Sequence, residues 1–296
     1  MPELPEVETM KRGIAAVVGC RIRGVVRPKC RLRPIQISPD FAGLRRRATG
    51  RTIAGLDRIG KRVVIRLDHP RGAGGDSIVI EPRMTGLVLL AEPPNAEHLR
   101  LSLQLEGGAA SELLFWDRRG LGTVSLVAAA DFESRYGLDV IGPDALRATA
   151  ELLRQRLGAS RREIKVALLD QRAVAGIGNL YASEILHLAG IHPRRRCDRL
   201  KAGDWQALES SILSVLETAI LHEGSTLSDG TYRNALNEAG GYQHHHRVYD
   251  RAGEPCRGCK RLAIERIVQA QRSTFFCRHC QPMKPASRRL QPAQAR

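Results

Sequence analysis

Apolar positions in this chain follow two periods, and the change falls near residue 130. In residues 4–18, Leu4, Val7, Ile14, Val17 and Val18 share one face at helical spacing, and Gly19 ends the run. Strand-like segments follow at Arg21–Arg27, Arg51–Leu56, Val63–Leu67, Ser77–Ile80, Leu87–Leu90, Leu99–Leu105, Leu113–Trp116 and Thr123–Val127. Leu99, Leu101, Leu103 and Leu105 alternate with Arg100, Ser102 and Gln104, which predicts a sheet with one wet face. Short strands between Gly- and Pro-marked turns predict a β-sandwich. Residues 1–130 therefore read as one helix plus a sandwich.

From Asp131 the helical period takes over, at Ala145–Leu157, Ile164–Leu169, Leu180–Ala189 and Ala207–Leu221, broken at Gly158, Gly176-Ile177-Gly178 and Pro193. Residues 131–148 read as a hinge and 149–249 as a helical domain. Residues 250–281 read as a short, basic, cysteine-bearing module, and 282–296 as a disordered basic tail. The fold class expected is thus α+β and multidomain.

Charge narrows the choice of partner. The 296 residues carry 47 Lys and Arg against 31 Asp and Glu, a net +16. Such an excess points to a polyanion, nucleic acid before membrane. No apolar stretch reaches membrane-spanning length, and the acidic N-terminus is unlike a signal peptide. A soluble, cytoplasmic, monomeric protein is expected.

Of seven cysteines, Cys20, Cys30 and Cys197 are scattered, while Cys256-x2-Cys259-x17-Cys277-x2-Cys280 forms two knuckles. Four thiolates at that spacing suit one tetrahedral, structural Zn²⁺ with no open position for chemistry. Arg257, Lys260, Arg261, Arg266, Arg272 and Arg278 surround the knuckles, as a hairpin that grips phosphates requires. His244-His245-His246 read as partly exposed polar residues, not ligands. Within Gly176-Ile177-Gly178-Asn179-Leu180-Tyr181-Ala182-Ser183-Glu184 the glycines permit a tight turn and close approach to a ligand, and Asn179 is placed to cap the next helix. The unit reads as a helix–two-turn–helix.

Pro2 admits two readings. It and Pro5 suit a helix start, with Glu3 and Glu6 complementing its positive end. Alternatively, removal of Met1 leaves Pro2 as a secondary amine, partly unprotonated near neutrality and able to form an iminium beside Glu3 and Glu6.

Met1–Thr9, Lys61, Met84-Thr85-Gly86, Gly176–Glu184 and Cys256–Cys280 together resemble the formamidopyrimidine-DNA glycosylase family, from residue 1 to about 281, and its Fpg branch more than the endonuclease VIII branch. The resemblance implies a bifunctional DNA glycosylase and AP lyase that excises oxidised purines from duplex DNA. It makes Pro2 the nucleophile at C1′, Glu3 the acid/base, Glu6 its support and Lys61 a lysine that holds phosphate beside the lesion. Met84 corresponds to a side chain that fills the gap left by an extruded nucleotide. Asn179 and Arg272 correspond to phosphate contacts, and Lys165 and His98 to further DNA contacts.

Two departures stand out. The family's Asp-Pro-Arg-Arg-Phe-Gly is here Asp117-Arg118-Arg119-Gly120-Leu121-Gly122, so Arg119 keeps the arginine facing the orphaned base, Gly120 loses a second one, and Leu121 replaces an aromatic wedge. Glu81-Pro82-Arg83 brings a carboxylate toward the expected DNA face. Oxidised pyrimidines as substrate, or damaged-DNA binding with weak catalysis, are the competing expectations. A phosphate-dominated grip predicts a duplex affinity that falls about a thousandfold between 50 and 200 mM salt, measured by titration; a flat salt response overturns it.

Overall fold

Leu4, Val7 and Met10, spaced at helical intervals behind Pro2 and Pro5, form α1 (Leu4–Gly13). Pro5 suits the first turn, where a missing N–H has no helical partner to lose. The computed structural model describes residues 2–69 and 74–283, so the tail expected over 282–296 lies outside them from residue 284 onward. The apolar face continues past Gly13 as a separate single 3-10 turn at Ala15–Val17.

The strands pair into two sheets. A four-stranded sheet runs in the order β1 (Arg21–Val26), β7 (Leu99–Glu106), β8 (Glu112–Asp117), β6 (Gly86–Leu89). A five-stranded sheet runs β2 (Gln36–Ser38), β9 (Thr123–Val127), β5 (Ser77–Glu81), β4 (Arg62–Leu67), β3 (Ile53–Ile59). Ile65, Ile78, Leu101, Leu103 and Phe115 belong to the core shared by both, which is the expected sandwich. β2 runs parallel to β9 with Gln36 abreast of Thr123.

Three elements escape the hydrophobic pattern. β2 is too short to show alternation, and α2 (Phe41–Ala48) carries Arg45, Arg46 and Arg47 in its last turn. α3 (Ala129–Tyr136) occupies the start of the stretch expected as a hinge, where Phe132 and Tyr136 cover Val64, Val79 and Val127 on the outer face of the larger sheet. The expected wet face of β7 is also corrected. Arg100 and Ser102 are buried, and the Arg100 guanidinium donates to the Asp117 carbonyl and the Cys30 sulfur. Alternation reports two faces, and a polar one can still be covered when its groups find partners.

Beyond the sandwich come α4 (Ala150–Leu157), α5 (Ile164–Leu168), α6 (Asn179–Leu188) and α7 (Ala202–Leu221). α4 begins later than the expected Ala145 because the Thr149 hydroxyl accepts the Leu152 N–H and fixes the helix start. Ile164, Leu168, Ile185, Trp205 and Leu216 fill this second core, and Leu4 joins it while Val7, Met10 and Ile14 join the sandwich core. α1 thereby belongs to both domains. Arg58 ties them as well: its guanidinium donates to Glu8 on α1 at 2.9 Å and to both Asp144 oxygens at 2.6 and 3.1 Å. Burial pushes the Glu8 carboxyl up, yet Arg12, Lys11 and Arg58 outweigh it and hold it down at about 2.

The last module is the antiparallel hairpin of β10 (Glu265–Gln269) and β11 (Arg272–Phe276). The sulfur pairs Cys256–Cys280 and Cys259–Cys277 are each 3.7 Å apart, and all four sulfurs lie within 4.8 Å of one another. Tetrahedral Zn²⁺ with bonds of about 2.3 Å sets its sulfurs about 3.8 Å apart, so the donor set fits one structural zinc. Glu184 anchors the approach to this module, its buried carboxylate accepting the N–H groups of Arg247, Val248 and Tyr249 at 2.8–2.9 Å.

Arg58→Met is expected to lower unfolding free energy by about 3 kcal/mol, since it leaves Asp144 and Glu8 short of their buried cation. Urea titration of that variant, of Asp144→Asn and of the double variant should show strong non-additivity; additive losses would remove the clamp from the account. Chelation of zinc, or Cys277→Ser, should abolish amide-exchange protection in β10 and β11 and leave the sandwich strands protected. Retained protection in metal-free protein would overturn the zinc assignment.

Candidate active site

The start of α1 presses into the turn before α6, and the two glycines of that turn exist for this contact. A Cβ on Gly176, whose φ is +108°, would fall 2.4 Å from Leu4 Cδ1, and one on Gly178 would fall 2.2 Å from the Glu3 carboxyl carbon. The Leu4 N–H donates to the Gly176 carbonyl at 3.0 Å. The close approach expected at Gly176 and Gly178 is thus made to α1, not to a ligand.

With those contacts Glu3 reaches the N-terminus of α6. Its carboxylate accepts the N–H of Gly178 at 2.6 Å and of Leu180 at 3.0 Å, so Glu3 caps α6 from another domain. The helix dipole favours the negative charge there. Asn179 was expected as that cap, but its side chain is engaged elsewhere. It accepts from Lys165 Nζ at 2.6 Å and donates to the Ser273 carbonyl at 2.9 Å, joining α5, α6 and β11. Lys165 is buried, and burial together with the nearby Arg272 pulls its amine down to about 8.

Glu6 lies beneath. One oxygen accepts the Glu3 N–H at 2.8 Å, and the other accepts the Tyr181 hydroxyl at 2.5 Å and the Ser225 N–H at 2.9 Å. Burial, reinforced by the charge of Glu3, pushes its carboxyl above the usual range. Glu6 thus contacts Glu3 through the Glu3 backbone N–H and not through its carboxylate.

A cavity of about 190 Å³ opens above this network, lined by Pro2, Lys61, Glu81, Gln171, Gly178 and Arg272 among others. Lys61 sits at the turn from β3 to β4, directly after Gly60, whose φ is +54° and where an added Cβ would fall 3.1 Å from Ala175 Cβ. Burial lowers the Lys61 amine, with Arg272 adding to the effect while Glu3, Glu6 and Glu81 oppose it. Glu81, which had no partner in the sequence, pairs with Arg62 at 3.0 Å and Arg83 at 3.2 Å. Its charge is thus met by its neighbours.

A second cavity, of about 530 Å³, adjoins through Arg83 and Arg272, and Met84 and Leu121 both line it. Met84 is 37% exposed, unlike a core methionine. His98 and Arg119 line neither cavity. Arg119 is exposed, and His98 packs edge-on against Trp116 with ring centroids 5.4 Å apart. His244–His246 stay out of any metal cluster among the described residues; His246 meets the Ser225 hydroxyl at 3.0 Å and His245 stacks on His222.

Sequence reasoning missed Gln171 and the Glu8–Arg58–Asp144 clamp. Gln171 accepts the Gly176 N–H and donates to the Ile177 carbonyl, bracing the turn beneath Pro2. The clamp had no local signal because its partners lie on separate elements, and Gln171 had none because its bonds to Gly176 and Ile177 form only once the loop between α5 and α6 is folded.

The chain matches three family models along its length: the formamidopyrimidine-DNA glycosylase N-terminal domain over residues 1–124, the H2TH domain of the same family over 141–231, and the zinc finger found in FPG and IleRS over 253–282. It is 42% identical over 290 residues to formamidopyrimidine-DNA glycosylase of Chloroflexus aggregans, covering 95% of this chain and 98% of that one. The homologue of the same name from Deinococcus radiodurans is 37% identical over 293 residues, covering 96% and 98%. Among solved structures, MutM (Fpg) from Thermus thermophilus superposes with a TM-score of 0.81 at 36% identity, covering 96% of this chain and all of that one. Lactococcus lactis Fpg bound to DNA containing an abasic site gives 0.82 at 32% identity, covering 95% and 100%. The fold, the four-cysteine module and these matches over nearly the whole length agree: this chain belongs to the formamidopyrimidine-DNA glycosylase family.

Proposed function

We propose that this chain is a bifunctional DNA glycosylase and AP lyase of base-excision repair, acting on oxidised purines such as 8-oxoguanine and formamidopyrimidines in duplex DNA. The observation that carries this reading is the single cavity shared by Pro2, Lys61 and Arg272, with Glu3 anchored directly beneath. That a point mutant of Lactococcus lactis Fpg has been crystallised with Fapy-dG DNA, and Lactococcus lactis Fpg with abasic-site DNA, supports it.

Chemistry follows from the placement. Once Met1 is removed, the unprotonated Pro2 nitrogen attacks C1′ of a nucleotide turned out of the helix. The glycosidic bond breaks and the base leaves with a proton; the C1′–O4′ bond then breaks, O4′ takes a proton, and an iminium remains. The iminium acidifies C2′, and loss of that proton expels the 3′ phosphate; a second elimination expels the 5′ phosphate. Glu3 is held where it can protonate the opening sugar ring and exchange protons with the amine. Lys61, with its amine lowered by burial, serves a phosphate beside the lesion and proton transfer equally. Arg272, shared by both cavities, and Asn179, beside β11, meet the backbone. Lys165, His98 and Arg119 complete the DNA contacts in this reading.

Met84 and Leu121 enter the stack where the nucleotide leaves, which offsets part of the lost stacking. The zinc, held by Cys256, Cys259, Cys277 and Cys280, supplies shape to the hairpin that carries Arg272. The enzyme acts as a monomer on the nucleoid in the cytoplasm. Among the described residues no helix is long and apolar enough to cross a membrane.

Borohydride reduction in the presence of duplex containing 8-oxoguanine should trap a covalent adduct whose peptide map ends at Pro2. Acetylating the N-terminus should abolish the adduct; one that survives acetylation would rule out the Pro2 mechanism. Excision of 8-oxoguanine and formamidopyrimidine should exceed that of thymine glycol at least tenfold, and the reverse order would make the pyrimidine reading the correct one.

A further inference from the structure

Gly120 sits where no side chain can be built. Its φ is +62°, and a Cβ there would lie 2.3 Å from the Arg33 carbonyl oxygen and 3.2 Å from its carbon. Backbone cannot yield to such a contact as the end of a flexible side chain can. The cause is topological. β2 runs parallel to β9 with Gln36, Ile37 and Ser38 abreast of Thr123, Val124 and Ser125. The same offset continued three residues toward the N-terminus brings Arg33 abreast of Gly120, which is the contact observed.

What the loop loses at Gly120 its neighbour restores. Arg33 is exposed and lines the 530 Å³ cavity with Met84 and Leu121. Of the other cations around that cavity, Arg83 is paired with Glu81, and Arg272 also lines the Pro2 cavity. Among the described residues the Arg33 guanidinium makes no ion pair or hydrogen bond. Meanwhile Arg119, which keeps the expected arginine, lies outside this cavity, its backbone N–H held by the Thr85 hydroxyl and the Asp117 carboxylate.

We propose that Arg33 is a specificity-determining residue: its guanidinium enters the duplex beside Leu121 and hydrogen-bonds the base left without a partner when the damaged nucleotide is turned out. The assignment rests on the reading that Met84 and Leu121 form the face entering DNA. A guanidinium suits the task because its rigid fork of donors distinguishes base edges, where a hydrocarbon wedge can only stack. The flanking apolar side chains raise the value of such hydrogen bonds by excluding water. In this chain the opposite-strand reader is thus carried by the segment leading into the edge strand β2, not by the loop after β8.

The test is equilibrium binding to four duplexes, each holding a tetrahydrofuran abasic analogue opposite C, A, G or T. Arg33→Ala, at an exposed position, should fold normally. It is expected to bind the preferred duplex about tenfold more weakly and to flatten the spread among the four, in keeping with the discrimination of a good guanidinium–base pair. Arg33→Lys should keep salt-dependent affinity but lose most of that spread. Unchanged selectivity in Arg33→Ala would overturn the assignment. An equal loss on all four duplexes would also overturn it, by making Arg33 a phosphate contact. Met84→Ala, measured alongside, separates the two layers. If it weakens binding to all four while Arg33→Ala changes nothing, only the Arg33 inference fails; if it binds like wild type, the reading of this face fails and takes the inference with it.

Discussion

A carboxylate from one domain caps a helix of another, and the rest of the molecule is arranged to permit it. Glu3 accepts the free amides at the start of α6, which otherwise have no helical partner. That bond requires α1 to begin against two turn positions that carry no side chain, which accounts for Gly176 and Gly178. It requires Leu4 to leave the sandwich core for the helical one. It also requires the sandwich and helical domains to hold one fixed angle, which Arg58 secures through Glu8 and Asp144. Placement of Glu3 and docking of the domains are therefore one problem with one solution.

Electrostatics divides this site into layers. At the bottom, Glu6 is pushed toward its protonated form by burial and by Glu3, and Tyr181 stands in hydrogen-bond contact with it. Above lies Glu3, whose charge is met by backbone N–H groups and by the dipole of α6. Higher still, Lys61 is discouraged from holding its proton by burial and Arg272. Glu3 and Glu6 sit close to Lys61 without pairing with it because these two carboxylates are met by backbone N–H and hydroxyl groups, and Glu81 by Arg62 and Arg83.

Much of this was legible in residues alone, and the reasons for success and failure differ. The sandwich strands, the long helices and the zinc module announce themselves through local periodicity and spacing, which survive folding unchanged. Pro2 and Glu3 were suggested by the residues themselves and Lys61 by resemblance. That Pro2 and Lys61 line one cavity, with Glu3 held beneath it, depends on turns far apart in sequence. Asn179 was misread because a cap is inferred from the adjacent helix, while its actual partners, Lys165 and Ser273, lie 14 and 94 residues away. Arg100 was misread because alternation cannot say what covers the polar face. Glu81 looked unbalanced for a related reason: Arg62 is its neighbour only across a strand pair.

The Pro2 cavity has a wider meaning for how such a chain can change. Three recognisable segments follow one another and look exchangeable, yet Lys61 reaches the cavity from the first, Gly178 from the second and Arg272 from the third. No segment holds a working site, and none can be replaced unless the incoming piece reproduces the glycine-floored turn or the Asn179 bridge. Recombination between distant relatives at the segment borders should therefore yield folded but inert chimeras, and inheritance of this activity is all or nothing despite its modular appearance.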